Sequence, residues 1–201
     1  MITATVRPRE TFENLLERRR GLLEAKRYEA PVTQIVAAIV AAFRAGKTVY
    51  WMGNGGSAAD AQHLAAEFSG RFLMERPGLP SESLSCNTST LTAIANDFGF
   101  ENVFSRQVEA FGRSGDVFVG ISTTGNSQNI VRALQAARAK HCVTIALSGN
   151  GGGAMTEHAD IALIGPDGYS ALVQEIHIIL GHIVCDLVER ELFTNRPEFS
   201  S

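Results

Sequence analysis

A chain of 201 residues, 45% hydrophobic and 19% charged, is long enough for one well-cored domain and short for two. Its net charge of −3 and pI near 6.0 give no field that would gather nucleic acid, and the basic run Arg18-Arg19-Arg20 reads as the solvated face of a helix. No basic-then-apolar leader is present, the apolar run 35–43 is too short for a membrane span, and Cys86, Cys142 and Cys185 are far apart in apolar settings; the expectation is a cytoplasmic protein with no membrane partner and reduced core thiols.

Residues 9–45 carry helical periodicity through Phe12, Leu15, Leu16, Leu22 and Leu23, then Val32, Ile35, Ile39 and Phe43, and the spacing predicts two helices broken near Pro31. This N-terminal helical segment, 1–45, stands apart from the alternating strands and helices of 46–201. Such a pair packs on the sheet or on another subunit.

Residues 49–52 are short, apolar and aromatic, a buried strand, and Gly53-Asn54-Gly55-Gly56 turns the chain into a helix that Ser57 is expected to cap, with Asp60 in the first turn. Open N–H groups beside a glycine loop suit an anion. His63 and Glu67, four residues apart, share one face of that helix about a turn below the loop. The same stretch fits a relaxed dinucleotide fingerprint, but Glu75, at the distance of the ribose-binding acid, precedes a Pro- and Gly-marked loop instead of ending a strand. Gly46-Lys47-Thr48 imitates the end of a P-loop, yet Ala41 replaces its first glycine and a strand follows it. Both are discounted.

After the loop 72–81 come a strand near Leu84, a helix over 87–95 that runs into Asn96-Asp97-Phe98-Gly99, and a helix over 103–111. Asn96 and Asp97 suit a polyol, or a plain helix C-terminus. A strand over 116–122 opens onto Thr123-Thr124-Gly125-Asn126-Ser127 and a helix over 129–140. One cap needs one hydroxyl, and this turn offers Ser122, Thr123, Thr124 and Ser127, so it reads as a neutral cradle for a sugar phosphate. A strand over 142–147, a short helix near 155–158 and a strand over 161–164 follow. The alternation implies an α/β fold, a parallel sheet covered on both faces with ligands beyond the strand carboxyl ends. His141 and His158 sit at element edges and read as solvated. The terminal helix over 170–193 is apolar on more than one side, with Gln174 and His182 two turns apart near one ridge; His177 reads as a buried polar group satisfied by a neighbour.

GNGGSAADAQH, the His63 and Glu67 spacing, AIANDFG, ISTTGNS and QEIHIILGH, in that order, resemble the sedoheptulose 7-phosphate isomerase (phosphoheptose isomerase) family of sugar isomerase (SIS) domains. The resemblance implies a three-layer αβα sandwich on a parallel sheet, with the N-terminal helices packing outside the core. It also implies a homotetramer with active sites at subunit interfaces, and interconversion of sedoheptulose 7-phosphate with D-glycero-D-manno-heptose 7-phosphate through an enediol. Carried over residue by residue, it places one zinc per subunit on His63, Glu67, Gln174 and His182. Substrate contacts fall on Asn54, Gly55, Gly56, Glu67, Asn96, Asp97, Ser122, Thr123, Thr124, Ser127 and Gln174, with Ser57 joining them; Glu67 is the base and His182 the proton shuttle. Thr124 replaces a serine common in the family, and Ala171 stands where some members have threonine or aspartate. A second reading is a non-catalytic tetrameric SIS protein that binds a sugar phosphate or a protein such as the replication initiator. A third is an isomerase of a related sugar phosphate in antibiotic or surface-glycan synthesis.

Overall fold

The computed structural model describes residues 11–23 and 26–194. Five strands, β1 (Val49–Gly53), β2 (Ser81–Ser83), β3 (Val117–Ser122), β4 (Val143–Ser148) and β5 (Ile161–Ile164), pair in parallel in the order β2-β1-β3-β4-β5. Seven helices surround them among the described residues: α1 (Phe12–Leu23), α2 (Glu29–Arg44), α3 (Gly56–Ser69), α4 (Thr88–Phe98), α5 (Ser105–Phe111), α6 (Gln128–Ala139) and α7 (Ser170–Phe193). Successive strand residues point to opposite faces and so build two cores. Trp51, Val119 and Ile145 are in register on one face, against Ile35 and Ile39 of α2, Leu64 and Phe68 of α3, and Ile176 and Val184 of α7. Met52, Phe118 and Ala146 face the other way, against Val108 of α5 and Ile130 and Leu134 of α6.

Of the N-terminal pair, α2 packs into the core, whereas α1 is largely exposed and is tied down by Arg19, whose guanidinium donates twice to Glu175 of α7 at 2.6 and 2.8 Å. The middle of the arginine run is therefore a tether and not only a solvated face. The break between the helices precedes Pro31: a 3-10 turn at Lys26–Tyr28 leads into α2, and Pro31 is its third residue, where a missing N–H leaves no intrahelical bond unmade. Cys142 and Cys185 are buried as expected, and burial pushes the Cys142 thiol up to about 11; Cys86 is exposed, a correction to its reading as a core thiol. α7, 24 residues long with an 18-residue window of mean hydropathy 1.6, is long and apolar enough by length and composition to cross a membrane, a candidate span that the 35–43 run did not provide. Half of its apolar window is buried in this protein, packed against α2 and α3, and that accounts for its composition.

His177 on α7 is fully buried, and its Nε2 lies 2.9 Å from the carbonyl oxygen of Ser148 at the end of β4. A carbonyl only accepts, so Nε2 carries the proton and Nδ1 is a bare acceptor with no partner among the described residues; the ring borders a small void lined also by Ile35, Trp51 and Leu163. Burial lowers its pKa, outweighing the Ser148 bond. The folded state therefore resists a second proton that the unfolded chain accepts below about 6.5. Stability should be full above that value and fall as pH drops through it. His177→Gln keeps a donor toward Ser148 and removes the titration, so urea midpoints measured from pH 7.5 to 5 should fall less steeply in the variant than in the wild type.

Candidate active site

The strand order reverses between β1 and β3: the chain leaves β1 for β2 on one side, then returns to place β3 on the other. The connections diverge at that point and leave a crevice beyond the strand carboxyl ends. Both loops singled out in the sequence open there. A cleft of about 350 Å³ is lined by Asn54, Gly55, Gly56 and Ser57 after β1, by Ile121, Ser122, Thr123, Thr124 and Ser127 after β3, and by Ser170 and Gln174 of α7.

Among the described residues no cation lines this cleft, so an anion there depends on dipoles and hydroxyls. The starts of α3, α6 and α7 converge on it. Gly55, not Ser57, is the N-cap of α3; its φ of +56° is a conformation that favours glycine, and no side chain caps the first turn. Ser57 is the second helical residue and Asp60 lies past the first turn, so both capping expectations are corrected. Burial pushes the Asp60 carboxyl up, partly offset by His63, and its Oδ2 has no partner among the described residues. At α6 the Ser127 hydroxyl is 2.9 Å from that of Ser122 and does not cap the helix, leaving first-turn N–H groups for a ligand. Thr123 donates to the Ser170 hydroxyl at 3.1 Å, and Thr124 accepts from the Asn126 N–H at 3.2 Å.

Two residues, one lining the cleft and one buried beside Asn54, carried no clear mark in the sequence. Ser170 opens α7, and a serine at the start of the last helix was the available signal. Asn129 is buried and forms a reciprocal amide pair with Asn54, 2.9 Å in each direction, which fixes the Asn54 side chain; only the fold brings these two loops together. The Gln174 amide rests against Gly56, where an added Cβ would come within 2.6 Å of Nε2. Gly56→Ala should leave the melting temperature within a few degrees, because the clash is with the free end of a side chain. It should displace Gln174 and raise the KM for a sugar phosphate roughly tenfold, the scale of one lost hydrogen bond to a charged ligand. Steady-state kinetics beside a thermal melt would check both.

A second cluster lies further along α3. His63 Nε2 is 2.8 Å from His182 Nε2 and 3.3 Å from Glu67 Oε1, and donor atoms of the three lie within 4.8 Å of one another. Two imidazoles and a carboxylate converging in this way match a three-ligand zinc site with an open position, so the residues fit the metal. α7 runs beside α3, placing Gln174 at the level of Gly56 in the cleft and His182 at the level of His63. The His63 side chain is 48% exposed, so this cluster opens to the surface of the chain. Asn96 and Asp97 line neither cluster nor cleft: they are exposed in the last turn of α4, and the Asn96 amide donates to Asp97 at 2.8 Å.

Fold and site together define a sugar-phosphate isomerase of the SIS class, and the SIS domain model matches residues 14–149. A phosphoheptose isomerase of Sulfurimonas denitrificans is 45% identical over 185 residues, 92% of this chain and 95% of that protein. Among solved structures, the phosphoheptose isomerase from Francisella tularensis superposes with a TM-score of 0.83 at 34% identity, covering 89% of this chain and 94% of that one. The one from Neisseria gonorrhoeae gives 0.77 at 40% identity, covering 87% and 90%. The chain belongs to the phosphoheptose isomerase family.

Proposed function

We propose that this chain interconverts sedoheptulose 7-phosphate and D-glycero-D-manno-heptose 7-phosphate, with Glu67 as the base and His182 as the shuttle between oxygens. The observation that carries the reading is that one helix, α3, starts in a cation-free anion cleft and bears the His63–Glu67 end of the His–Glu–His cluster. His63 stands seven residues after Gly56, about 10 Å along the helix at 1.5 Å per residue, a span that suits an extended seven-carbon sugar phosphate.

The phosphate is held by the hydroxyls of Ser122, Thr123, Thr124 and Ser127 and by N–H groups of Gly55, Gly56 and Ser57, with the Asn54 and Gln174 amides facing the sugar. Glu67 takes a proton from C1 of the ketose and returns it to C2 through the enediol; His182 moves the O1 proton to O2, so atoms and charge balance. One zinc per subunit would be held by His63, Glu67 and His182 and would polarise the carbonyl when bound; Gln174 lies two turns of α7 from His182, in the cleft, so as the fourth donor it would come from a neighbouring subunit. We assign the active form as a homotetramer with its sites at subunit interfaces. The outward-facing His63 supports this, as does α4, which buries no residue yet carries Asn96 and Asp97 beside exposed Phe98. Three free cysteines suit a cytoplasmic setting.

The test is proton NMR of zinc-loaded protein with sedoheptulose 7-phosphate in D2O. New aldose anomeric signals with deuterium at C2 are expected. An inert wild type with bound zinc would overturn the substrate and leave the scaffold reading, in which the His–Glu–His cluster has no task.

A further inference from the structure

The segment that follows α3 makes an unusual set of bonds. Glu189 of α7, with no exposed side-chain surface, accepts the N–H groups of Phe72, Leu73 and Met74 at 2.9, 2.8 and 2.9 Å, and the Arg76 Nε at 2.8 Å. Arg76, equally buried, uses its other nitrogens on the last carbonyls of α3: Phe68 at 2.8 Å, Gly70 at 3.1 Å and Glu67 at 2.7 Å. A cation there satisfies orphan carbonyls at the negative end of the helix. The backbone that carries Glu67 and the backbone that carries Phe72 are thus fastened to one ion pair.

The fastening places the Phe72 ring on His182, with centroids 5.5 Å apart and planes 26° from parallel. On the His182 ring, His63 approaches edge-on at 5.0 Å and 72°. The last torsion of a histidine is broad, with no sharp wells of its own, so the direction in which Nε2 points is set by what touches the ring. A flat aromatic face restrains that torsion; an aliphatic side chain of similar bulk does not.

We infer that Phe72 is a positioning residue for the His182 imidazole, held in place by the Arg76–Glu189 pair; the kinetic part of this inference rests on the role given to His182 above. The stack keeps Nε2 directed at His63 and Glu67, where it is needed to hold a metal and to move a proton. The phosphate cleft is formed by other loops and is untouched by it.

Phe72→Leu preserves apolar bulk, and Phe72→Tyr preserves the flat face. In the metal-free protein, the His182 ring-proton resonances, assigned by their loss in His182→Gln, should move downfield in the leucine variant as the ring current is lost, and stay in the tyrosine variant. Zinc affinity, measured by competition with a chromogenic chelator, should weaken about tenfold or more with leucine, the scale seen when groups orienting a metal ligand are removed, and recover with tyrosine. In the isomerase assay, kcat should fall about tenfold with leucine while KM stays within twofold. Unchanged resonances and a zinc affinity within twofold of wild type in the leucine variant would overturn the inference, as would a leucine effect that tyrosine fails to rescue. A wild type that binds zinc but does not turn over the sugar, with the shifts seen in the leucine variant and absent in the tyrosine variant, would instead remove the assigned reaction and leave the positioning role standing.

Discussion

Glu67→Gln should lower kcat by about a thousandfold, within the range ascribed to a positioned general acid or base. The change is nearly isosteric. Glu67 lies in the body of α3, its side chain only 19% exposed and its Oε1 3.3 Å from His63 Nε2, so an amide fits the same space and can still direct an oxygen at the cluster. It cannot accept a proton from carbon. Deuterium entry from D2O at C1 and C2 of the sugar should therefore stop along with turnover, while KM, set in the cleft by the hydroxyl turn and the α3 loop, stays within a few-fold of wild type. Zinc content must be measured on the same sample, because Glu67 is also one of the ligands proposed here. A glutamine variant loaded with zinc that keeps more than a tenth of wild-type kcat would assign the base to another group.

Arg76→Met should cost about 3–5 kcal/mol at pH 7, the scale of breaking a buried pair by removing one partner. The methionine fills the volume but leaves the Glu189 carboxylate without its cation and takes the guanidinium from the carbonyls of Glu67, Phe68 and Gly70, of which Phe68 keeps the Leu79 N–H. Replacing Glu189 as well should not restore what was lost, because its carboxylate also satisfies three N–H groups of the following loop. The pH dependence follows from the direction of the Glu189 shift. Burial alone would raise its pKa, but the three N–H bonds and Arg76 outweigh burial and hold it below the ordinary 4.5. Its contribution is full above about 4.5 and is lost as pH falls through the lower folded value. The gap in urea midpoint between wild type and Arg76→Met should therefore be wide at pH 7 and narrow below pH 4.5. An equal gap at both would mean that the arginine acts by packing alone.

Elements with a strong local signal were legible in the residues themselves. β1, β3, β4, β5 and α7 fall within a residue or two of their expected bounds, because the inner strands, buried on both faces, and the edge strand β5 are all apolar runs and α7 is a long apolar helix. Boundaries set by capping were less so. Ser57 had the composition of a cap, yet the positive φ at Gly55 moved the cap back by two residues, and a proline near the start of α2 marked the first turn and not the break. Cys86, next to a strand in sequence, ended exposed because β2 is a three-residue edge strand that stops before it.

The sequence by itself determined the chemistry on offer: a hydroxyl-rich turn without a cation, a glycine loop opening a helix, an imidazole and a carboxylate one turn apart, and a second imidazole on an apolar helix. These are local patterns, fixed by spacing and residue type. Which of them meet was decided only by tertiary structure, since contacts between residues 54 and 129, 63 and 182, or 72 and 189 depend on strand order and helix packing. The reversal of strand order at β1 and β3 joins two loops about 70 residues apart into one cleft, and the packing of α7 along α3 brings His182 to His63. Asn96 and Asp97 end apart from that cleft, exposed on the surface of α4, although their residue types had suggested a part in binding. No local periodicity carries that information, because it is the burial of two apolar faces on one twisted sheet that chooses the partners.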